Sequence, residues 1–416
     1  MKNYSISIYF DKRRIKENGN YPIRLQVYTS NPKNRKRYAT KIEATEEEYE
    51  GAFGSSKVRK QYKWLKVTVD ALTSKAEKIA KDLDPFTFDQ FEKKMFRMIG
   101  QGCKVEFQYN EVIDEYNKNG QVGTAQSYLD SKRSLIRFCR EVKKTKFEKL
   151  IFTDITKEWL LDYERFMLNT LDRSITTVGI YLRPLRALFN KAISEKEIEV
   201  DFYPFGKRKY QIPTKKNKKK ALNTDQLKGL FEAIPANESQ EKAKDFWFFT
   251  YACNGINMKD ILLLKYSDIE NDKIEFVRAK TKLTTKGNQK TITFYLNDFS
   301  KSIIDKYGNE NTSPDTLVFD VLNGVTKPID KLKKVKNFTQ FVNKNMQKLC
   351  LANELPKIST YWARHTFATQ SIRKGASMEF MQESLGHKDM KTTMSYFAGF
   401  DSNTKKDFAD QLMNFE

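Results

Sequence analysis

Histidine and cysteine are scarce in this 416-residue sequence: it holds His365 and His387, and four cysteines (Cys103, Cys139, Cys253, Cys350) that form no CxxC pair and no Cys/His cluster. Zinc modules need several such ligands at short spacing and disulfide frameworks need paired cysteines, so neither class fits, and no metal is expected. Glycine and proline number only 17 and 10, which points to long regular elements. No run approaches the roughly 18 apolar residues of a membrane span. The opening MKNYSISIYFDKRR has too short an apolar stretch for a signal peptide, so the expectation is a soluble chain in a reducing, intracellular compartment with no membrane partner.

Positive charge is what the sequence has in excess. Seventy-five Lys+Arg against 53 Asp+Glu give a formal net charge of +22, and a surface of that sign gains free energy by displacing counterions from a phosphate backbone. The chain is not a disordered basic tail, because 39% of it is hydrophobic and 13% aromatic. Its length predicts about three compact units.

The first fifty residues read as strands. Ile6, Ile8 and Phe10 alternate with polar neighbours, as do Ile23, Leu25 and Val27 with Arg24, Gln26 and Tyr28, and Asn18-Gly19 between the runs predicts a hairpin turn. A third segment through Arg35, Lys36 and Arg37 completes a sheet with one apolar and one cationic face, a shape that can enter a major groove. Tyr62, Leu65, Val69, Leu72, Ala76, Ile79 and Leu83 form a heptad-like stripe, read as a stiff helical connector. From about 103 to 205 the pattern predicts four or five helices, with Pro184 as a kink in the last. Residues 207–220 hold eight Lys or Arg and no acid, including Lys215, Lys216, Lys218, Lys219 and Lys220, which predicts an extended linker along a phosphate backbone. Asn223 with Gln226 three residues on marks a helix start, and further on one strand pair, 274–277 with 291–295, interrupts the helices. The predicted division is a sheet domain over 1–55, a connector over 56–100, a helical domain over 101–206, the linker over 207–220 and a mainly helical α+β domain over 221–416.

Both histidines fall near the end, in TYWARHTFAT and SLGHKDMKTTMSYF. Arg364 and His365 are read as opening a helix whose N-terminal amides favour phosphate, Gly386 as a helix C-cap with His387 on the turn beyond it, and Tyr396, nine residues after His387, as part of another helix. Arginine to neutralise phosphate oxygens, histidine to donate to one of them or steer the attack, and tyrosine as nucleophile suit attack on a phosphodiester without a metal.

RHTFAT, then LGH, then the tyrosine of TTMSYF resemble the C-terminal signature of the tyrosine site-specific recombinases, the phage integrase family, in the branch with an N-terminal arm-binding domain found in conjugative and mobilisable elements. ITTVGIYLRPLRALFNKA and NGINMKDILLLKYSDI resemble the last core-binding helix and the first catalytic box. The resemblance implies a multidomain fold: an arm-binding sheet, an all-α SAM-like core-binding bundle and an α+β, mainly helical, catalytic domain. It implies Tyr396 as nucleophile, Arg364 and His387 on the phosphate, and a general-acid lysine on the strand hairpin, either Lys280 or Lys286. Arg24, Arg35, Lys36, Arg37, the linker lysines, Lys286 and His365 are the expected DNA contacts. It further implies a cofactor-free bacterial enzyme, cytoplasmic and nucleoid-associated, that acts as a homotetramer on core and arm sites of double-stranded DNA with accessory bending or excision factors. The short apolar face of the tail, Phe408, Ala409, Leu412 and Met413, fits a helix donated to a neighbour or docked in cis.

Two positions depart from the family pattern. Asn257 stands where the first box carries arginine, and Tyr361 where the second motif begins with His or Lys. Either the enzyme is weak or silent, or Lys259, Arg278 or another cation fills the space. A DNA invertase, a type IB topoisomerase, a silent DNA-binding regulator and a metal-dependent nuclease or transposase are the alternative readings.

Overall fold

The computed structural model describes residues 3–54, 57–96, 101–215, 220–280, 282, 290–400, 405–406 and 409–410, apart from the Lys93 side chain. Lys216, Lys218, Lys219, Lys286, Phe408, Leu412 and Met413 lie outside the described residues. The chain forms two compact units, one of residues 1–111, 132–171 and 182–211, the other of 112–131, 172–181 and 212–416.

The first unit begins with an antiparallel sheet of β1 (Tyr4–Phe10), β2 (Tyr21–Ser30) and β3 (Lys33–Tyr38) in that order, with a short β4 (Glu43–Ala44) also paired to β2. The Asn18-Gly19 turn is not a two-residue hairpin: the strands stop at Phe10 and restart at Tyr21, and the Gly19 N–H closes back on the Lys16 carbonyl at 2.9 Å. Strand alternation sends Ile23, Leu25 and Val27 to one face, where all three are fully buried. A sheet with one apolar face needs a second layer. It is supplied by α1 (Glu46–Phe53), α2 (Lys63–Lys81) and α3 (Phe88–Phe96): Leu65 and Val69 of α2 pack with Ile23, and Ala76 and Ala80 pack with Leu25, Val27 and Phe91. The described part of the expected connector, residues 57–96, therefore belongs to this domain. The heptad-like stripe is the inner face of a two-layer domain, since a 3,4 spacing fits a sheet as well as another helix.

The same alternation corrects two of the expected cations. Lys36 is in register with Val27, so it points to the helix-covered side, where its Nζ lies 2.8 Å from Glu92. Arg24 does face the polar side, but its Nε lies 2.9 Å from the buried carboxylate of Asp11. Hydrogen bonding from Arg13, with the charge of Arg24, holds that carboxyl at about 2. The open cationic face carries Lys33, Arg35 and Arg37, in register with Ser30, Tyr28 and Gln26, and the Arg37 guanidinium stacks 3.5 Å from the Tyr9 ring centroid.

Four helices follow, α4 (Val105–Lys118), α5 (Val122–Phe138), α6 (Lys157–Arg165) and α7 (Ile175–Ser194). Aromatic packing builds this core, with Phe138 edge-on to Trp159 and Tyr163. Pro184 lies inside α7 without ending it.

The C-terminal segment opens with α8 (Thr224–Glu232), capped reciprocally by Asn223 and Gln226 as expected. Then come α9 (Glu238–Ala252), α10 (Met258–Ile261), a sheet of β5 (Ile269–Glu270), β6 (Lys273–Val277) and β7 (Thr291–Tyr295), and α11 (Asp298–Tyr307), α12 (Pro328–Ala352), α13 (Thr360–Arg373), α14 (Met378–Ser384) and α15 (Met390–Met394). The two-residue β5 is too short to leave a period in the sequence. Helix α9 is the central element: Phe246, Trp247, Phe248 and Phe249 are all buried. The Trp247 indole N–H donates to the Ser359 carbonyl at 3.0 Å, which fixes the start of α13.

Candidate active site

Helix α13 begins four residues earlier than the sequence suggests. Ser359 is its N-cap and Thr360 its first residue, its N–H bonded to Asn343 Oδ1 at 2.7 Å, so Arg364 lies in the second turn, beyond the free amides of the helix start. That guanidinium is almost wholly buried, at 3% exposure. Nη1 donates to the Gly255 carbonyl at 2.7 Å, Nη2 donates to the Leu385 carbonyl at 2.6 Å and also meets His387 Nε2 at 3.2 Å. Nε is buried without a partner, and no carboxylate pairs with Arg364 among the described residues. Burial, then the nearby Arg278, pull its pKa down to about 10, which leaves it charged at neutral pH.

Two glycines shape this cradle. Gly255 has φ +65, and a Cβ there would lie 2.9 Å from Arg364 Cα and Cγ. Gly255→Ala is therefore expected to destabilise the protein by about 1–3 kcal/mol and to push α13 off its carbonyl contact, with urea unfolding as the measurement. Gly386, at φ +62, ends α14 in a Schellman turn, in which the His387 N–H bonds to the Gln382 carbonyl and the Gly386 N–H to that of Glu383. The expected C-cap glycine is confirmed, and the turn delivers His387 to Arg364.

A guanidinium can only donate, so His387 Nε2 accepts from Arg364, and Nδ1 carries the proton that it donates to Thr393 Oγ1 at 3.0 Å. Burial first, then Arg364 and Arg278, lower the His387 pKa to about 4. Burial also lowers that of His365. A folded-state value below the unfolded one means that the folded protein binds fewer protons, so the stabilisation is complete above about pH 6.5 and is lost as pH falls towards the folded value. His387 alone is expected to remove on the order of 2–3 kcal/mol between about pH 7.5 and about pH 4.5. Urea unfolding at the two pH values should show His387→Gln losing less than the parent by that amount.

Tyr396 lies in the turn just after α15 rather than inside a helix, and is 8% exposed. Its ring stacks on His365 at 4.6 Å and on His387 at 5.0 Å between centroids, with Arg364 5.4 Å from its centre. His365 was expected among the DNA contacts. It is instead buried, and its Nδ1–H donates to the Tyr396 carbonyl at 3.2 Å. The Tyr361 and Tyr396 hydroxyls are 2.6 Å apart.

Asn257 caps α10 and faces Arg278, which follows β6. With its amide oriented to match the guanidinium, Asn257 Oδ1 accepts from Arg278 Nη2 at 3.0 Å and from Nε at 3.3 Å. Asp260, 5% exposed, sits 3.9 Å from Arg278 Nε and accepts the Ala279 N–H at 2.9 Å, anchoring the root of the strand connection. Arg278 and Arg364 line one small pocket with Asn257. The exposed Lys280 lines a cleft with Arg278, Tyr361 and Tyr396. Lys220 is close enough to His365 to disfavour its protonation, and Leu222, two residues on, bonds to Thr366 and Gln370 of α13. Lys215 is exposed.

This chain matches three domain families in the order its elements suggest: an arm DNA-binding domain over residues 8–92, a phage integrase SAM-like domain over 107–212 and the phage integrase family over 220–402. The chain belongs to the phage integrase family. The integrase is 26% identical over 286 residues to the tyrosine recombinase XerD of Rickettsia bellii (strain RML369-C), covering 65% of this chain and 87% of that one. To the ICEBs1 integrase of Bacillus subtilis (strain 168) it is 22% identical over 287 residues, covering 64% and 73%. Its fold resembles that of the Tn1549 transposon integrase (residues 82–397) solved with transposon right end DNA, at a TM-score of 0.50 and 15% identity over 74% of this chain and 98% of that one. It also resembles XerH recombinase bound to a palindromic difH substrate, at 0.50 and 16% over 82% and 94%. Family membership makes the integrase an enzyme that breaks and rejoins DNA. No described helix is long and apolar enough to cross a membrane.

Of the residues read from the sequence, Arg364, His387, Tyr396, Tyr361, His365 and Asn257 converge, and Lys280 lies on the wall of the same cleft. Asp260, Thr393 and Gly255 were missed. Each meets partners on another element or turn, and such contacts leave no spacing signal.

Proposed function

We propose that the integrase cuts and rejoins duplex DNA at specific sites through a covalent bond to Tyr396. The carrying observation is a buried cation to which the described residues bring no anion: Arg364, 3% exposed, with a spare Nε–H and no carboxylate partner among them, beside the Tyr396 ring. A buried charge left unpaired costs several kcal/mol, and a scissile phosphate supplies the missing anion at the place where charge develops during attack.

In the proposed reaction Tyr396 Oη forms a bond to phosphorus as the bond to the 5′-oxygen breaks. The products are a 3′-phosphotyrosyl link and a 5′-hydroxyl, with Lys280 giving the leaving oxygen its proton. A partner strand's 5′-hydroxyl reverses the step, so the bond energy is kept and no nucleotide is consumed. Neutral His387 orients the Arg364 guanidinium. Arg278 takes the phosphate contact that an arginine at position 257 would make, with Asn257 and Asp260 holding it. Lys215 and Lys220 follow the backbone beside the site, and the Arg35/Arg37 face of the sheet meets arm DNA. The DNA complexes of the Tn1549 integrase and XerH support DNA as the partner, and a homotetramer spanning two sites, assisted by bending or excision factors, is the proposed working assembly.

Because the target is read from no part of the chain, the test starts from nicked duplexes with a randomised core, incubated in EDTA and captured by covalent attachment. A recovered DNA–protein adduct on the tryptic peptide 392–405 supports the reading. Binding without any adduct would make Asn257 the mark of a silent DNA-binding protein.

A further inference from the structure

A tyrosine hydroxyl titrates near pH 10, so a Tyr396 that attacks phosphorus at neutral pH must pass its proton to a neighbour. The two histidines beside it are badly placed to take it. Both stack face-on with the Tyr396 ring, at interplanar angles of 30° and 29°, so their in-plane lone pairs run alongside that ring rather than towards its hydroxyl. Both nitrogens of His387 are also engaged, with Arg364 and Thr393. The nearby carboxylate, Asp260, holds the Ala279 amide and faces Arg278.

Tyr361 is differently placed. Its hydroxyl is 2.6 Å from that of Tyr396, and its ring meets His365 edge-on at 4.9 Å. It sits in the first turn of α13, whose start is fixed by Asn343 and Trp247, and the residue is 46% exposed. The phenol thus touches the attacking oxygen from a residue that is nearly half open to solvent. Burial, then the bond to Tyr396, push its own ionisation up, so Tyr361 does not serve as a standing phenolate. A neutral hydroxyl can still accept one proton while releasing another.

We propose that Tyr361 is a catalytic proton relay for Tyr396. As Tyr396 Oη bonds to phosphorus, its proton passes to Tyr361 Oη, and the proton Tyr361 already carries leaves to bulk water at the exposed edge. The bond from phosphorus to the 5′-oxygen breaks, and Lys280 protonates that oxygen separately. No net charge accumulates on Tyr361, and the reverse path serves rejoining. This role rests on the reading of Tyr396 as nucleophile.

The experiment uses the full chain and a nicked duplex recovered by the covalent selection, in single-turnover cleavage. Tyr361→Phe removes only the relay oxygen. It is expected to slow adduct formation about 100-fold, leave DNA affinity and the thermal midpoint essentially unchanged, and reduce the solvent deuterium isotope effect. Tyr361→His, which restores a group able to accept and pass a proton, is expected to recover most of the rate. A substrate with sulfur in place of the leaving 5′-oxygen needs no acid, so it should rescue Lys280→Ala and leave Tyr361→Phe slow. Cleavage by Tyr361→Phe at the parent rate, or its rescue by the sulfur substrate, would overturn the relay while Tyr396 stayed the nucleophile. An adduct on the tryptic peptide 358–364, which carries Tyr361, instead of 392–405 would overturn the reading of Tyr396 itself.

Discussion

Tyr396→Phe is expected to bind DNA as the parent does and to form no covalent adduct, a loss of at least about 10⁴-fold in cleavage, the scale on which removing a covalent nucleophile acts. Phenylalanine should fill the site without disturbing it, because the contacts that hold the ring survive the loss of one oxygen. The stacks on His365 and His387 and the nearby Arg364 charge involve the ring, and the bonds from His365 and Thr369 reach the Tyr396 backbone carbonyl. Of the polar neighbours of the lost hydroxyl, Tyr361 is exposed enough to turn to water, and Arg364 keeps its bonds to the Gly255 and Leu385 carbonyls. The measurement pairs gel-shift affinity with the denatured adduct on a nicked duplex. An adduct that persists in Tyr396→Phe would transfer the chemistry to another tyrosine.

The second large effect concerns the position where the family pattern has arginine and this chain has Asn257. Arg278→Ala is expected to lower single-turnover cleavage about 100- to 1,000-fold, the cost of removing one preorganised donor to the developing charge, with a much smaller effect on binding. Adding Asn257→Arg to Arg278→Ala should recover a large part of the rate. In the parent, Asn257→Arg should gain little, since two guanidiniums would compete beside one Asp260 carboxylate. A strong gain from Asn257→Arg in the parent, or no loss in Arg278→Ala, would show that Arg278 does not carry the contact. Arg278→Lys should remain well below the parent, because an ammonium lacks the planar fork that Asn257 and a phosphate can share.

The three-domain order was legible because each part has its own periodicity: alternation in the strands, 3,4 spacing in the helices, and an acid-free run of lysines between two patterned segments. The spacing of Arg364, His387 and Tyr396 survived because one short stretch of chain, α13 to the turn after α15, carries all three. Periodicity failed where it reports a face and not a partner. The α2 stripe has heptad spacing, but whether it meets a helix or a sheet depends on which apolar surface is left uncovered, and here that surface is Ile23, Leu25 and Val27. Lys36 looked like its basic neighbours until register with Val27 put it on the covered face. His365, beside Arg364 in sequence, reads as a DNA contact, but adjacent residues on a helix point about 100° apart, and His365 turns to the Tyr396 carbonyl instead.

By itself, then, the sequence determined the excess of positive charge, the order of the parts and the spacing of Arg364, His387 and Tyr396. Only the tertiary structure decided which groups meet at Tyr396. Asn257 and Arg278 come from different elements, and Tyr361 and Tyr396 stand 35 residues apart, so their pairing follows from packing around α9 and α13 rather than from any local pattern. The site is cationic because Arg364 is bound by carbonyls and a neutral imidazole, none of which cancels its charge.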